Sequence, residues 1–429
     1  MLYSDGIFGD FTSIFKTGIL TEKILSQSPL ITENLPNLPP AVLERCNDLF
    51  NYNPKINLSE DSCNTFTNDN KELSGFSDGF RVIATSNELS IKNLSDAALS
   101  RFSIIYTTSY TPEESDLLIQ LFNKDTPKEF YDFLKKYKEY FRKDLSFLYI
   151  TKILNIFKLI NEKMDKYQRE KKILNNLCIA IHLSLKYLMN DKKKMKYHKD
   201  IVNSIVPDFY PKKKEVEEEE DKMPFEIDDN NKELISKWSN LSIKSNDLNE
   251  AENKLAFIKP FNKLLEHIHI SIAINYPLII EGETGKGKKS AINYMANILG
   301  YDVVYFNISN STTVEDLFCK KMPIEKDGKM IFKDFRSYLL DAIDAKINKE
   351  KNCIIILDNL QLANSNVLES LVPVFDTKIQ SILVQGQEIY KGTYNIIGII
   401  DSSMESRDVN NFIPNSIKIW LFFIEIQNI

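Results

Sequence analysis

The sequence lacks the features that mark secreted and membrane-spanning proteins. Its amino terminus has no basic segment followed by an apolar core, and no uncharged apolar run approaches the ~20 residues that span a bilayer. The five cysteines are scattered without paired spacing, and the four histidines form no ligand cluster. These absences predict a soluble intracellular protein of a reducing compartment, with no membrane partner and no cysteine–histidine metal centre.

The sequence also lacks an excess of basic residues. Its 54 lysines and arginines are outnumbered by 60 aspartates and glutamates, which gives a formal net charge of −6 at pH 7. Proteins that bind the nucleic-acid polyanion usually show the opposite balance, so we expect no generalised nucleic-acid surface, and no direct nucleic-acid site is evident. Local basic patches stay open as an alternative. With 429 residues, 43% of them hydrophobic, the chain is long enough for two or three domains.

The most informative motif present is a glycine-rich loop between a predicted strand and a predicted helix. An apolar run at 278–281 precedes it, a helical pattern at 291–299 follows it, and the loop reads Gly282, Glu283, Thr284, Gly285, Lys286, Gly287, Lys288, Lys289, Ser290. A Walker A loop requires this order, because glycines let backbone N–H groups curl around phosphates at a helix amino terminus. We therefore predict that these nine residues bind nucleotide and that Lys288 reaches the β- and γ-phosphates.

One position of the loop departs from the motif. The residue after Gly-Lys is normally Ser or Thr, whose hydroxyl holds Mg²⁺, but here it is Lys289, with Ser290 one position later. A charged lysine does not ligate a metal ion, and it would instead place its ammonium group near the phosphates. A one-residue adjustment that lets Ser290 serve as the ligand stays open as the alternative.

A second motif is the apolar run at 353–357 that ends in Asp358. This pattern is typical of a Walker B strand, in which the carboxylate holds Mg²⁺ through water. The next residue is normally a glutamate that polarises the attacking water, but here it is Asn359, and an amide cannot accept a proton. We therefore predict that ATP and Mg²⁺ bind, and that hydrolysis is severely slowed.

Much of this pattern occurs twice in the chain. The matching pairs of segments are 6–13 with 330–337, 30–35 with 355–360, 42–44 with 367–369, and 80–87 with 394–401. Four matches in the same order indicate two copies of one α/β module. Only six residues precede Ile7 in the first copy, whereas about seventy residues precede Ile331 in the second, so the sequence predicts a fragment of a larger tandem protein.

The first copy supplies two further candidate site residues. Asn87 ends its second apolar strand, where a polar residue senses the γ-phosphate, and Asp401 takes this position in the second copy. Arg101 follows 14 residues later at a predicted helix end, where an arginine finger would stabilise phosphoryl charge in a neighbouring module. An ordinary surface arginine is the alternative. In the first copy Asn34 stands where the Walker B base is expected, and Lys418 is the sole basic candidate for a finger in the second copy.

Together these motifs resemble the dynein-related, midasin-like branch of the AAA+ ATPases. The loop at 282–288 is similar to that branch's Gly-Glu-Thr-Gly-x-Gly-Lys, residues 357–371 are similar to its Leu-Asp-Glu-Leu-Asn-Leu-Ala segment, and 307–318 and 34–50 fit the same profile. The resemblance implies several modules closing into a ring that remodels macromolecules. It therefore implies neighbouring modules of the same polypeptide and a protein or ribonucleoprotein substrate as partners, in the cytoplasm or, if truly midasin-like, the nucleus.

The fold class implied by the resemblance is α/β, with P-loop AAA+ modules of a parallel sheet flanked by helices. Helical periodicity at 111–205 predicts a lid between the two modules. A charge-dense run at 212–222 lacks the apolar residues needed to fold. The predicted segments are the carboxyl-terminal part of a first core at 1–110, the lid at 111–205, a charged linker at 206–249, and a second core without its lid at 250–429.

Three functional hypotheses follow. The first is an ATP-binding segment of a multi-module ring in which other modules hydrolyse ATP. The second is a non-enzymatic scaffold of decayed modules that only holds partners. The third is an ATPase that uses an unconventional base. Loss of nucleotide binding on Lys288→Ala would separate the first hypothesis from the second.

Overall fold

The computed structural model divides into two compact units, Met1–Ser109 with Lys321–Lys333, and Tyr110–Lys320 with Asp334–Ile429. Within them the described residues are 2–5, 12–15, 18–33, 35–51, 54–58, 64–67, 80–86, 90–108, 110–122, 124, 126–141, 145–164, 166–185, 192–207, 209–210, 223–228, 232–244, 257–326, 329–347, 352–384, 387–402 and 422–425. In this part of the chain no helix combines the length and the apolar content needed to cross a membrane. Cys46, Cys178, Cys319 and Cys353 are free thiols.

The first unit consists of short elements. These are β1 (Leu2–Asp5), β2 (Thr12–Phe15), α1 (Ile19–Leu25), β3 (Leu30–Thr32), α2 (Pro40–Cys46), β4 (Lys55–Leu58), β5 (Asn64–Thr67), β6 (Val82–Ala84) and α3 (Asp96–Leu99). Strands β3 and β6 pair in parallel, while β1 with β2 and β4 with β5 form antiparallel pairs. A small core packs between these elements, formed by Ile24, Leu49, Ile56, Leu58 and Phe80.

The second unit begins with five helices over the segment predicted as a lid. They are α4 (Pro112–Phe122), α5 (Lys128–Phe141), α6 (Phe147–Glu162), α7 (Lys166–Leu185) and α8 (Lys192–Asn203). In α6 the fully buried Ile153, Phe157 and Ile160 recur every three or four residues, so one helical face is apolar and packs into the core. The predicted helical character of this segment is therefore present.

The next elements occupy the segment predicted as a charged linker. They are β7 (Phe225–Asp228), β8 (Glu233–Ser236) and β9 (Ser242–Lys244), which form an antiparallel sheet in the order β7-β8-β9. Phe225, Leu234 and Ile243 are buried on this sheet, and the burial of such side chains provides the driving force that a linker lacks. The linker prediction over 206–249 therefore does not hold for these strands, while the charged run at 212–222 lies outside the described residues.

The remaining elements include those that build the central sheet of the second unit. They are α9 (Lys259–Ala273), β10 (Leu278–Gly282), α10 (Lys288–Leu299), β11 (Asp302–Asn307), α11 (Val314–Leu317), β12 (Cys319–Lys326), β13 (Lys329–Arg336), α12 (Tyr338–Ile343), β14 (Cys353–Asp358), α13 (Ser365–Phe375), β15 (Ser381–Val384), β16 (Gln387–Tyr390), β17 (Tyr394–Asp401) and β18 (Phe422–Glu425). Strands β12 with β13 and β15 with β16 form two-stranded sheets. Most of β12 and β13 lies within Lys321–Lys333 and so belongs to the first unit.

The central sheet has the strand order β11-β14-β17-β10-β18, and all its neighbours are parallel. Side chains of β14 alternate between its two faces: Ile354 and Ile356 pack into one hydrophobic cluster, and Ile355 and Leu357 into the other. All four side chains are fully buried, which explains the continuous apolar run, because both faces of a parallel sheet are covered. The α/β fold class predicted from the sequence is confirmed.

The sequence repeat has a structural counterpart. In the first unit Leu30 lies opposite Val82 in the parallel pair β3–β6. In the second unit Ile355 lies opposite Ile396 in the parallel pair β14–β17, and these are the residues that the repeat aligns with Leu30 and Val82. Each pair is separated along the chain by a helix and an antiparallel hairpin, so the two copies share both element order and strand register. The match at 6–13 lies mostly outside the described residues.

Candidate nucleotide-binding site

The glycine-rich loop lies at the carboxyl edge of the central sheet. It leaves β10 at Gly282 and enters α10 at Lys288. Strand β10 lies between β17 and β18, although these strands come later in the chain. The connection from β10 leads across the sheet to β11, whereas the connection from its neighbour β17 leads in the opposite direction to β18. Such a switch point between adjacent strands is where open α/β sheets bind ligands.

Two glycines of the loop adopt left-handed backbone conformations. Gly285 has a φ of +83° and Gly287 a φ of +77°. Residues that have a Cβ atom are strained at such positive φ angles, so the backbone conformation at these two positions favours glycine. Gly287 also precedes the first turn of α10, whose unpaired N–H groups carry the partial positive charge that anions seek.

Lys288 lies where the motif places the phosphate-binding lysine. Its side chain is buried, and its Nζ donates hydrogen bonds to the carbonyl oxygens of Gly282 and Glu283, the latter at 2.8 Å. Burial lowers the pKa of the Lys288 ammonium group, and the carboxylates of Asp401 and Asp358 oppose that shift. The loop backbone thus holds the buried Lys288 ammonium group near the carboxylates of Asp358 and Asp401, which end β14 and β17.

Lys289 makes the closest charged contact of the site. Its Nζ lies 2.5 Å from Oδ2 of Asp358, the carboxylate that ends β14. The lysine side chain is half exposed, whereas the aspartate side chain is mostly buried. Ser290 is exposed on helix α10, which begins at Lys288, and its role as an alternative metal ligand stays a prediction.

Asn359 stands where a catalytic glutamate is normally found. It has a left-handed φ of +57°, a conformation that asparagine tolerates. Its Nδ2 donates to Oδ1 of Asn307 at 2.8 Å, and its Oδ1 accepts from Nε2 of Gln361 at 3.5 Å. Both ends of the amide therefore have partners, and neither accepts a proton from water at neutral pH.

The same hydrogen-bonded chain continues to the loop. Oε1 of Gln361 accepts from the backbone N–H of Asp401 at 3.3 Å, and Oδ2 of Asp401 accepts from the Thr284 hydroxyl. Neither Asn307 nor Gln361 is among the residues predicted for the site. The strand pattern could have identified Asn307, because it ends β11 directly opposite Asp358.

The residues present do not fit the predicted magnesium ion at Asp358. The hydroxyl ligand of the motif is replaced by Lys289, and its ammonium group occupies the side of the Asp358 carboxylate that faces α10. The cation that the structure gives to Asp358 is therefore a lysine.

Of the candidates in the first copy, the structure describes Arg101. It follows α3, and its Nε donates to Oδ1 of Asn51 at 2.7 Å while Nη1 donates to the carbonyl oxygen of Ala97. Asn87 and Asn34 lie outside the described residues, as does Lys418 of the second copy. The finger and sensor roles in the first copy stay predictions.

Comparison with known proteins agrees with this geometry. Residues 277–414 match the family model of the AAA domain, dynein-related subfamily. Midasin of Giardia intestinalis is 34% identical over 100 residues, which are 23% of this chain and 2% of that protein. Midasin of Dictyostelium discoideum is 25% identical over 122 residues, which are 28% of this chain and 2% of that protein. The matched part thus spans about 2% of the length of these curated relatives.

Among solved structures, a protein from Cytophaga hutchinsonii that is provisionally assigned as an ATPase aligns with 39% of this chain and 45% of its own. The sequence identity is 12% and the TM-score 0.28. This structural likeness is too weak to support an argument, so the assignment of a nucleotide-binding domain rests on the family match and the sheet topology. Residues 277–414, which lie in the second unit, match a dynein-related AAA domain, and the chain as a whole has midasins among its relatives, as the sequence resemblance indicated. Such a domain implies ATP as a ligand.

Proposed function

We propose that the loop at 282–290 binds ATP and that this site hydrolyses it slowly, within a multi-module AAA+ protein that remodels macromolecular assemblies. The observation that carries the proposal is that a loop with the glycines and the lysine for phosphate binding occurs together with Asn359 at the position of the catalytic base. Left-handed Gly285 and Gly287 and the buried Lys288 support phosphate binding, whereas the Asn359 amide supplies no proton acceptor.

The wider organisation belongs to the same proposal. Residues 1–110 would be the carboxyl-terminal part of a first AAA+ core, 111–205 its helical lid, and 250–429 a second core. Asn87 would sense the γ-phosphate in the first module, and Asp401 would hold the corresponding position in the second. Arg101 would serve a neighbouring site after exchanging its present hydrogen bonds. The partners would be adjacent modules and a protein or ribonucleoprotein substrate, in the cytoplasm or nucleus.

Equilibrium binding of a fluorescent ATP analogue to the full chain tests the binding claim. Lys288→Ala removes the buried ammonium group and should weaken binding about tenfold or more, the equivalent of one charge-assisted hydrogen bond. Lys158→Ala is the matched control, because Lys158 is an exposed lysine paired with Glu162 on a distant helix. Equal binding by wild type and Lys288→Ala would sink the proposal.

The hydrolysis claim is tested by restoring the motif. In the complete multi-module protein, Asn359→Glu combined with Lys289→Thr supplies a proton acceptor and a hydroxyl ligand together. We expect hydrolysis to rise about 100-fold, the low end of a general base's contribution. An unchanged rate in a variant that still binds nucleotide would show that these two residues do not limit turnover.

The scaffold of decayed modules is the second candidate, and one observation favours it. Lys288 already donates to two loop carbonyls, and Thr284 donates to Asp401, so the loop satisfies its own polar groups. Under this interpretation neither wild type nor Lys288→Ala would bind nucleotide, whereas partner binding would survive both.

A further inference from the structure

We propose that the Lys289 ammonium group replaces the divalent metal ion of this site, so that the loop binds ATP without magnesium. This inference rests on the proposed ATP binding at 282–290. The proposed function does not specify which positive charge neutralises the phosphates of the bound nucleotide, and the inference concerns this charge.

The geometry supplies the first step. Lys289 is the second residue of α10, directly after the phosphate-binding Lys288, and so takes the position of the motif's metal-binding hydroxyl. From there its Nζ reaches Oδ2 of Asp358, within the distance of a charge-assisted hydrogen bond. The Lys289 ammonium group therefore places one positive charge between α10 and the Walker B strand β14. This charge is covalently attached to the protein, whereas in the usual motif a coordinated metal ion supplies it.

The local charges supply the second step. A dication that approaches Asp358 must displace the ammonium group from the carboxylate or lie beside it against Coulomb repulsion. Either route costs free energy that a site with Ser or Thr at this position does not face. Magnesium should therefore add little to nucleotide affinity here.

The exposure of the two partners supplies the third step. The Asp358 side chain is mostly buried at the end of β14, so it anchors the contact, while the Lys289 side chain is half exposed. An ammonium group has three donors, so Lys289 can bind a phosphate oxygen and keep its contact with Asp358.

Binding of a fluorescent ATP analogue to the full chain, in EDTA and in excess Mg²⁺, tests the inference. The wild type should bind in EDTA at least as tightly as in Mg²⁺. Lys289→Thr should bind about tenfold more weakly in EDTA and should regain affinity on addition of Mg²⁺. Lys289→Arg keeps the cation and should remain independent of the metal.

Lys158→Thr is the matched control, because it removes an equally exposed, ion-paired lysine from α6 and should leave both affinities unchanged. Thermal unfolding of each variant reports whether the fold is retained. A wild type that binds only with Mg²⁺ would overturn the inference and leave the proposed function standing. So would Lys289→Thr binding as tightly as wild type in EDTA. No nucleotide binding by wild type in either medium would overturn the proposed function itself.

Discussion

The two copies of the module build one strand pair in two different surroundings. Ile31 and Ile83 lie opposite each other in the first unit and are 66% and 55% exposed. Their repeat counterparts, Ile356 and Ile397, also lie opposite each other but are fully buried. The same apolar pattern thus fixes the register in both copies, while burial comes from the elements packed against the pair. In the second unit, residues of α9 and α10 share the hydrophobic cluster of these isoleucines.

The largest expected difference between the copies is the cost of truncating this pair. Ile356→Ala should lower the free energy of unfolding of the second unit by about 2–5 kcal/mol, because it leaves a cavity in a covered sheet. Ile31→Ala should change that of the first unit by less than about 0.5 kcal/mol, because water already contacts this side chain. Amide hydrogen exchange of the strand peptides measures each unit separately. Equal costs at both positions would break the comparison.

The pH dependence of the free energy of unfolding should also differ between the two units. All four histidines of the chain lie between positions 182 and 269, which belong to the second unit. Burial lowers the pKa of His269 from 6.5 to about 4, and its Nε2 donates to the Leu234 carbonyl at 2.9 Å. As pH falls below 6.5, His269 is protonated in the unfolded chain, whereas in the folded protein it stays neutral until the pH approaches 4. His269 should therefore cost the second unit about 3 kcal/mol of stability between pH 6.5 and 4.

Denaturant unfolding of wild type and His269→Gln across this pH range measures the effect. Glutamine keeps an N–H donor for Leu234 and does not titrate, so the variant should lose less stability on acidification. Parallel pH profiles for the two proteins would show that His269 is not responsible.

The smallest expected difference concerns the helix that follows the first strand of each pair. In the second copy, Oδ1 of Asn364 accepts from the Val367 N–H at 2.9 Å and caps α13. The aligned residue of the first copy, Pro39, makes no side-chain cap of α2. Asn364→Ala should cost about 1 kcal/mol, and Asn364→Ser should restore most of it. Thermal unfolding measures this difference. An Asn364→Ala variant as stable as wild type would show that the Asn364 cap does not contribute to the difference between the two copies.

Much of the central sheet could be predicted from the sequence, since its determinants are local. The apolar run at 353–358 becomes β14 with the same bounds, and the glycine-rich loop lies between a strand and a helix as predicted. Strands β7 to β9 were missed because the neighbouring charged run dominates the composition. Their burial depends on α9, including the His269 contact with Leu234, which no local pattern reveals.

The site could be predicted less completely than the sheet, because side chains from distant parts of the chain determine its charge. The sequence identifies Lys289 as a departure from the motif but not the partner of its ammonium group. That partner, Asp358, is 69 positions away in the chain and meets Lys289 only because β10 and β14 are both held beside β17. The role of Asn307 follows from strand register in the same way.

The central claim is that this site retains ATP without rapid turnover, and a single-turnover measurement tests it most directly. Radiolabelled ATP is mixed with an excess of the full chain in Mg²⁺ buffer, and the bound label is identified over time. The account predicts that the bound nucleotide remains ATP for many minutes and that Lys288→Ala binds it at least about tenfold more weakly. Conversion to ADP at about 1–100 s⁻¹, the range of ordinary kinases, would contradict the account if Lys288→Ala abolished it and substitution of Asn359 did not.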